Sequence, residues 1–262
     1  TSQEIQMLGN TGFMAGSLEY VLGAYYYEDK ATLDIFGGAI GSGPLILQNL
    51  TGIANKSYAG FGEVTVRPGA DEKLSITVGA RYSHDKRTAT RINERSFSFA
   101  ALGGFTAENC GFFALTFAAL GQTCTPTGAV AGASYSGKFN NFSPSLTVAY
   151  KVSNDLNLYA KFVRSYKTGG TSQRSANPIN FAAGFEPETV NSFEAGIKGN
   201  ALDRKLSYSV AGFFMRMNNY QASVQTGATA GDRDFIGIDG NDIYGVEFDL
   251  NAALSRELRV GV

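Results

Sequence analysis

The dominant pattern in this sequence is an alternation of apolar and polar residues that recurs in long segments. Successive side chains of a β-strand point to opposite faces of the sheet, so this alternation predicts strands with one apolar and one polar side. In the segment 142–152 the apolar set is Phe142, Pro144, Leu146, Val148, Tyr150 and Val152. The segments 74–83, 156–165 and 244–254 repeat the pattern. The chain is predicted to hold about ten strands, of which the first and the last are incomplete.

The connections between the predicted strands alternate between short turns and long insertions. Short turns are predicted near 9–15, 68–73, 153–156, 201–204 and 255–257. Long insertions are predicted near 35–56, 93–137, 169–187 and 226–241. Outer-membrane barrels have this asymmetry, with tight turns on the periplasmic side and long loops on the outer side. The pattern therefore predicts an all-β, antiparallel transmembrane β-barrel of the outer membrane.

The length of the alternating segments favours contact with lipid. The step from Phe142 to Tyr150 rises roughly 20 Å at about 3.3 Å per residue and a tilt near 40°, which fits an apolar band about 25 Å tall between aromatic girdles. Tyr25, Tyr26 and Tyr27 crowd the outer half of the predicted strand 16–34. A soluble β-sandwich or lectin-like barrel also alternates, but its strands are usually about 5–6 residues long and its outer faces are polar.

Composition agrees with a sheet that has one lipid-facing and one wet side. Hydrophobic residues make up 44% of the chain and charged residues only 17%, whereas soluble domains carry roughly 25% charged residues. The mean hydropathy of -0.09 indicates that apolar and polar residues are interleaved. The sequence has no run of about 18 apolar residues, so no transmembrane helix is predicted. The net charge of -1 gives no sign of a nucleic-acid partner.

The ends of the chain predict an internal fragment of a larger barrel. The sequence begins with Thr1, without Met or a signal peptide, and stops at Val262 in what reads as the start of a strand. Such a fragment would have two unpaired strand edges, so we expect it to be unstable in a bilayer on its own.

Several segments resemble the barrel of TonB-dependent receptors. They are 142–146 (FSPSL), 156–170 (LNLYAKFVRSYKTGG) and 185–198 (FEPETVNSFEAGIK), with further likeness in 23–29 (GAYYYED), 78–85 (VGARYSHD) and 243–249 (IYGVEFD). The resemblance implies that residues 1–262 are part of a 22-stranded barrel. Its N-terminal plug and C-terminal strands are expected to lie outside this chain.

The resemblance implies active transport rather than catalysis. Such receptors take up ferric siderophores or other scarce organic ligands across the outer membrane of Gram-negative bacteria. Their energy comes from the TonB–ExbB–ExbD complex, which acts through an N-terminal region expected to lie outside this chain. Outer-membrane lipid and lipopolysaccharide are further expected partners, and no cofactor is implied.

Basic and aromatic residues cluster on or after the outer end of one predicted strand. They are Arg164, Tyr166, Lys167, Arg174, Asn177, Asn180, Phe181 and Phe185. An anionic iron chelate would meet cationic charge and aromatic surface there, so these residues are candidates for ligand binding. Contact with lipopolysaccharide, or solvation of the loop alone, is the competing interpretation of each of them.

Cys110 and Cys124 fall in the longest predicted outer loop. In the oxidising compartment at the cell surface we expect them to pair, and closing a loop of about 15 residues would stabilise the chain by roughly 3 kcal/mol in the chain-entropy model. Two free or metal-binding thiols are the alternative, although neither a second cysteine pair nor a nearby histidine accompanies them.

Three further local signals carry weaker expectations. The segment 231–242 offers Asp232, Asp234, Asp239 and Asp242, a spacing that can hold Ca²⁺ but is more typical of a solvated loop, and no metal is assigned. His84 is followed by Asp85, and adjacent strand residues point to opposite faces, so a polar surface pair is expected instead of a catalytic dyad. Pro144 predicts a bulge or a local irregularity, because proline cannot donate a ladder hydrogen bond.

Three functions therefore compete. An energy-coupled receptor for a ferric siderophore or similar ligand is favoured. A passive porin is the first rival, and a plug encoded upstream would exclude it. A barrel enzyme or adhesin is the second, disfavoured because no nucleophile elbow, zinc-ligand set or phosphate loop is present.

Overall fold

The fold is that of a computed structural model, which describes residues 1–38, 45–98, 126–130, 133–175, 178–226, 233–253 and 257–261. The strands are β1 (Ser2–Phe13), β2 (Gly16–Gly38), β3 (Leu45–Arg67), β4 (Leu74–Ser98), β5 (Pro126–Val130), β6 (Ala133–Ser153), β7 (Leu156–Lys167), β8 (Glu188–Ala201), β9 (Leu206–Asn218), β10 (Tyr220–Gln225), β11 (Arg233–Ile238), β12 (Asn241–Ala253) and β13 (Arg259–Gly261). A short helix, α1, spans Pro178–Ala183. Within these ranges no helix has the length and hydropathy needed to cross a membrane.

Ten strands form one continuous antiparallel sheet in the order β1-β2-β3-β4-β6-β7-β8-β9-β12-β13. β5 adds to the far end of β4, and β10 pairs with β11 in a separate hairpin. Each strand of the main path is paired with its neighbour in the chain, except where β5 and the β10–β11 hairpin intervene. In the part of the chain that the structure describes, β1 and β13 are each paired on one side only, so the sheet is open. The prediction of about ten antiparallel strands is confirmed.

The ladders align residues of the same chemical kind from strand to strand. One row crosses eight strands and contains only apolar or aromatic residues, namely Tyr20, Val64, Val78, Leu146, Phe162, Phe193, Phe214 and Tyr244. The neighbouring row is polar over six strands: Glu19, Thr65, Thr77, Thr147, Lys161 and Glu194. Adjacent rows point to opposite sides of a sheet. We call these sides the apolar face and the polar face.

The apolar face does not pack against any other part of the described chain. Large side chains on it remain open, with exposed fractions of 54% for Val78, 55% for Phe142, 75% for Val246 and 76% for Tyr244. Exposed apolar surface of this extent is unfavourable in water by roughly 25 cal/mol per Å². The apolar face therefore has the surface of a sheet that contacts a nonaqueous environment on that side.

Short turns lie at or next to four of the predicted positions, at 14–15, 68–73, 154–155 and 202–205, although β1 continues through most of the turn predicted at 9–15. Most of the turn predicted at 255–257 lies outside the described residues. In the β1–β2 hairpin only Met14 and Ala15 lie between the paired residues Phe13 and Gly16. Both turn residues have positive φ, 50° and 58°, as a two-residue turn compatible with strand twist requires. The β3–β4 turn spans 68–73 and includes Gly69 at φ 82°.

The long insertion predicted at 35–56 is wrong over much of its length, because β2 and β3 remain paired as far as Gly38 and Ile46. The insertion predicted at 93–137 is wrong at its ends, where β4 runs on to Ser98 and β6 begins at Ala133; residues 99–125, 131 and 132 lie outside the described residues. The physical reason is that a backbone ladder needs no apolar side chains to continue, so a strand can extend beyond its alternating segment. The insertion predicted at 226–241 also holds regular structure, because β11 (Arg233–Ile238) pairs with β10 (Tyr220–Gln225).

The local irregularity predicted at Pro144 is present on one side of β6. Towards β4, Pro144 pairs in regular register with Ala80 and forms no bulge. Towards β7, the β6–β7 ladder ends at the pair Ser145 and Val163 although both strands continue. Proline has no backbone N–H to donate, so it is a natural end for this ladder. We call the unpaired stretch between the outer parts of β6 and β7 the seam.

We predict that replacing both turn residues of the β1–β2 hairpin, Met14→Asn and Ala15→Gly, stabilises the protein. Asn and Gly adopt the positive φ of this turn with less strain than Met and Ala. The expected gain is about 1 kcal/mol in the free energy of unfolding, measured by urea titration of the full-length protein in lipid vesicles. Ala31→Gly within β2 is the matched control, and it should lower the same quantity by about 0.5–1 kcal/mol. No gain in the double variant would contradict the strain argument.

Candidate functional site

Two segments leave the wall of the sheet at its long-loop end and contact each other. They are residues 168–187 and residues 219–240, which we call the loop cluster. Asn219, with φ 54°, turns the chain away from β9. The backbone N–H of Arg233 donates to the carbonyl of Arg174 at 2.8 Å, and the rings of Phe185 and Phe235 lie 4.8 Å apart.

The loop cluster packs on the polar face of β3, β4 and β6. Phe181 from α1 has no exposed surface and forms a small core with Ala89 and Tyr135. Gly184 follows the helix at φ 68°, and a Cβ at this position would clash with the Tyr135 ring. The close approach of loop and wall therefore depends on a glycine. Among the described residues, this cluster is the only apolar core formed with a loop. It lies on the otherwise polar face of the sheet.

A buried acid and a buried arginine hold the loop cluster together. The guanidinium of Arg91 donates to the Ser175 carbonyl and lies 5.1 Å from the centre of the Phe181 ring. Asp234 accepts hydrogen bonds from the Asn180 side-chain amide at 2.9 Å and from the Thr226 hydroxyl at 2.8 Å.

Burial alone would raise the pKa of the Asp234 carboxyl. Hydrogen bonds from Ser175, Asn180 and Thr226, together with the charge of Arg91, outweigh that effect and lower the pKa below its ordinary value of 3.8. The carboxylate is therefore the stable form in the folded protein, and it is stabilised by the same contacts that join the two segments of the loop cluster.

Glu188 and Gln221 tie the loop cluster back to the wall. The Glu188 carboxylate accepts the backbone N–H of Gln221 at 2.9 Å. The side-chain amide of Gln221 donates to the carbonyls of Thr168 and Glu186, each at 3.1 Å. One glutamine thus joins the start of the hairpin to both ends of the loop 168–187.

Below the loop cluster the polar face of β4 carries a column of arginines. Arg81, Arg87 and Arg91 alternate with outward residues on this strand, and Asp85 is the acid of the same column. The Arg81 guanidinium lies 5.3 Å from the Tyr25 ring centre, and its Nε donates to the Ser83 hydroxyl at 3.1 Å. Arg87 lies 3.9 Å from the Asp85 carboxylate. The column is therefore a cationic strip lined by an aromatic ring, as suits an anionic group.

The structure separates the residues that the sequence nominates for ligand binding. Lys167 and Arg174 are exposed, and Phe185 is half-buried against Phe235. Phe181 exposes no surface, so its contacts are with the protein's own core. Asn177 lies outside the described residues, as do Cys110 and Cys124.

Arg164 and Tyr166 occupy apolar-face positions in the register of β7 with β8. Arg164 pairs with Asn191, next to the aromatic pair Phe162 and Phe193, and its side chain is exposed. The alternation of the strand thus directs Arg164 away from the polar face that a lumenal ligand would contact. Tyr166 lies at the seam, and its hydroxyl is buried without a hydrogen-bond partner among the described residues.

The acidic loop and the histidine are accounted for by local contacts. Asp239 accepts the backbone N–H of Asn219 at 2.7 Å, and Asp242 forms a two-point ion pair with Arg216 at 2.9 and 2.8 Å. Asp232 lies outside the described residues. His84 contacts Asn140 at 2.7 Å across the strands, on the opposite face from Asp85. The two neighbours therefore form no catalytic pair.

Sequence reasoning missed the residues that organise the site. Arg81, Arg87 and Arg91 are separated by even numbers of residues along β4, so they lie on the same face of the strand. Inspection of every second residue of this strand could have found the cationic column. Asp234 and Gln221 carry no such signal. Their partners lie 54 and 53 residues away in the chain, and only the folded hairpin brings them together.

The family model described as "TonB dependent receptor-like, beta-barrel" matches residues 2–262. A similar solved structure is the ferric yersiniabactin uptake receptor of Yersinia pestis, at 16% identity and a TM-score of 0.69 over 97% of this chain. A ferric citrate transporter in its unliganded form has 18% identity and a TM-score of 0.58 over 96% of this chain. The ferric-catecholate import receptor of E. coli K12 has 15% identity and a TM-score of 0.58 over 97%.

At these identities the solved structures establish a shared fold. The chain spans 32% of the yersiniabactin receptor, 31% of the citrate transporter and 35% of the catecholate receptor. A search among curated proteins found no significant match.

We predict that acidification loosens the loop cluster. Because the pKa of Asp234 is lowered in the folded state, its stabilising contribution is complete above about pH 4 and is lost as the pH falls through the lower, folded-state pKa. Backbone amides of 171–175 and 220–225 should then lose hydrogen-exchange protection on the order of tenfold, after correction for intrinsic rates.

Asp234→Asn should produce the same loss at pH 7 and abolish the additional loss at acid pH. Asp203→Asn, in the exposed turn between β8 and β9, is the matched control and should leave protection of the loop cluster unchanged. If Asp234→Asn shows the same hydrogen-exchange protection as wild type at pH 7, the role given to this carboxylate is refuted.

Proposed function

Because this chain belongs to the TonB dependent receptor-like β-barrel family, we propose that it forms part of the wall of an outer-membrane receptor that imports a ferric siderophore or a similar scarce organic ligand. Members of this family are transporters of the Gram-negative outer membrane. Three similar solved structures are receptors or transporters for ferric yersiniabactin, ferric catecholate and ferric citrate. All three ligands are iron bound to an organic chelator, and this supports the ligand class proposed for this chain.

The observation that carries the proposal is the division of the sheet into two faces. The charged residues that the register puts on the apolar face lie on the long-loop side of one aromatic residue in each of these strands: Tyr26 on β2, Tyr58 on β3, Tyr82 on β4, Phe142 on β6, Phe162 on β7, Phe214 on β9 and Tyr244 on β12. Examples are Lys56 beyond Tyr58, Lys86 beyond Tyr82 and Arg216 beyond Phe214. A lipid-facing band free of charge and bounded by aromatics is typical of outer-membrane barrels.

The polar face supplies the proposed path and first contacts of the ligand. Chelators bind ferric iron through oxygen anions, so an iron chelate that retains negative charge favours arginine. Arg81 and Arg87 provide that charge on the wall, and Lys167, Arg174 and Phe185 provide cations and a ring on the loop cluster above it. Arg164 is assigned to the lipid side.

In the full receptor we propose that this chain contributes about ten of 22 strands around an N-terminal plug. Energy for import would come from the TonB–ExbB–ExbD complex through a segment beyond residues 1–262. The continuous ladder from β1 to β13 supports this arrangement, because both outermost strands offer backbone groups to further strands.

We predict energy-dependent uptake by the full-length protein. Expressed in an iron-starved Gram-negative host, it should accumulate a ferric chelate only when the energy-coupling complex is intact. Uptake of iron-55 supplied as ferric yersiniabactin, ferric enterobactin-type catecholate or ferric citrate is the measurement. Leakage of small solutes that does not depend on the complex would replace this proposal with a passive porin.

Arg81→Gln should weaken uptake of an anionic chelate by roughly tenfold in apparent affinity, because it removes a charge-assisted hydrogen bond of the proposed path. Arg81→Lys should recover part of the loss by restoring the charge. Lys73→Gln is the control, since it removes a cation paired with Asp71 in the short β3–β4 turn. Heat-modified gel mobility verifies that each variant forms a barrel. Equal uptake by wild type and Arg81→Gln would remove Arg81 from the path.

A further inference from the structure

Five apolar side chains lie together on the polar face, towards the long-loop end of β7, β8, β9 and β12. Val163, Met215 and Ile243 belong to one register row that crosses these four strands. Val190 and Met217 are register partners in the next row of the same face, nearer to the loops. Directly opposite residues of an antiparallel pair have Cβ atoms about 4.5–5.5 Å apart. We call these five residues the methionine patch.

The two register rows of the methionine patch carry no charge on these four strands. Their other three positions are Ser165, Ser192 and Asn241. The next row towards the short turns is different, because it pairs Lys161 of β7 with Glu194 of β8. Apolar surface that faces water is unfavourable, and a contiguous apolar patch marks an interaction site. The methionine patch is such a surface on a face that is otherwise polar.

The methionine patch keeps open surface in the described part of the chain. Ile243 is 45% exposed, and the other four side chains are half-buried. The small apolar core of the loop cluster lies elsewhere on the polar face, around Phe181, Ala89 and Tyr135. The patch therefore has apolar surface left for a further partner.

The methionine patch lies at the outer limit of the apolar band. Met215, Arg216 and Met217 are consecutive, and Arg216 forms its ion pair with Asp242 on the opposite face of the sheet. A charged pair on the lipid-facing side marks the level at which water replaces hydrocarbon. The loop cluster begins two residues beyond Met217, at Asn219. A ligand that arrives from the outer side therefore meets the patch directly below the loop cluster.

One exposed cation stands at the edge of the methionine patch. Lys167 shares the polar face of β7 with Val163 and lies nearer to the loops. Among the described residues it has no acidic group within 4.0 Å. Its register partner Glu188 is buried and accepts the backbone N–H of Gln221 instead. A cation beside an apolar surface is complementary to an anion that carries a hydrocarbon group.

We propose that the methionine patch binds an aliphatic chain of the imported ligand, whose anionic end lies between Lys167 and the arginines of β4. The ligand is then an amphipathic anion, an iron chelate that carries a hydrocarbon tail. Methionine side chains are flexible and adapt to chains of different shape, and the two rows hold no ring on which an aryl group would stack. β4 is four strand spacings from β9, roughly 19 Å at about 4.8 Å each, so one ligand can contact both. The inference rests on the proposed function, because it names the ligand class of the same site.

The test compares two chelates that differ only in the length of their tail, the ferric complexes of citrate methylamide and citrate octylamide. Binding of each, labelled with iron-55, is measured on the full-length protein in lipid nanodiscs, and binding to empty nanodiscs is subtracted. Burying one methylene is worth roughly fourfold in affinity, so a tail that is half-buried on the wall should make wild type bind the octyl form about a hundredfold more tightly. Equal affinity of wild type for the two chelates would overturn the inference.

Met215→Gln combined with Met217→Gln should reduce the preference for the octyl form to less than about tenfold and leave the affinity for the methyl form unchanged. Glutamine keeps the length of methionine but is polar, so it removes the apolar contact without a large change of shape. Met14→Gln is the control, because Met14 is exposed in the short β1–β2 turn at the other end of the sheet. This control should keep the preference of wild type.

A second variant keeps the test decisive if the double glutamine variant does not form a barrel. Val163→Thr combined with Val190→Thr preserves side-chain shape and strand preference, and it should also lower the preference for the octyl form. An unchanged preference in a folded patch variant would contradict the inference. Equal loss of affinity for both chelates would show that the patch supports the fold instead of binding a tail.

Iron-free citrate octylamide and energy-dependent uptake distinguish this inference from the proposed function. If the octyl form binds with or without iron, the patch variants weaken that binding, and wild type takes up no ferric chelate, then the iron receptor is overturned and the patch is kept. If wild type and the patch variants take up both ferric amides at equal, energy-dependent rates, the receptor is kept and the patch is overturned. A wild type that binds neither octyl form would also overturn the patch.

Discussion

The structure depends on one constraint, which is that each strand must place its backbone N–H and C=O groups in a ladder with a neighbour. In a hydrocarbon environment an unpaired peptide group costs several kcal/mol, so a break in the ladder within the apolar band is strongly disfavoured. Along the main path every strand forms a ladder with its neighbour, with register shifts at Leu50/Thr51 and Lys151/Ser153. The exception inside the band is the β6–β7 ladder, which ends at Ser145 and Val163 beside Pro144, a residue that has no N–H to pair.

The same ladder sorts the side chains by solvent. Because the side-chain period is two, every row of register partners belongs to one face along its whole length. One face can therefore be apolar across eight strands while the next row carries acids, lysines and threonines. Charges appear on the apolar face only towards the long-loop end of the strands, where for example Arg216 is paired with Asp242.

The loop cluster is held by a different balance of forces. It has a small apolar core around Phe181, and most of its order comes from hydrogen bonds to buried polar groups such as Asp234 and Gln221. Such contacts are directional and are sensitive to protonation, in contrast to the apolar surface of the wall.

The local pattern of the sequence was sufficient to predict the sheet. The alternation in 74–83, 142–152 and 244–254 determines which residues share a face, and glycine, proline and aspartate at the short turns determine where strands reverse, because both are set by neighbours in the chain. It also predicted that His84 and Asp85 point apart. Tertiary structure alone decided the rest. The outer continuation of β2 to β4 has no apolar alternation to reveal it, and the burial of Phe181 and the partners of Asp234 arise from contacts between segments that are distant in sequence.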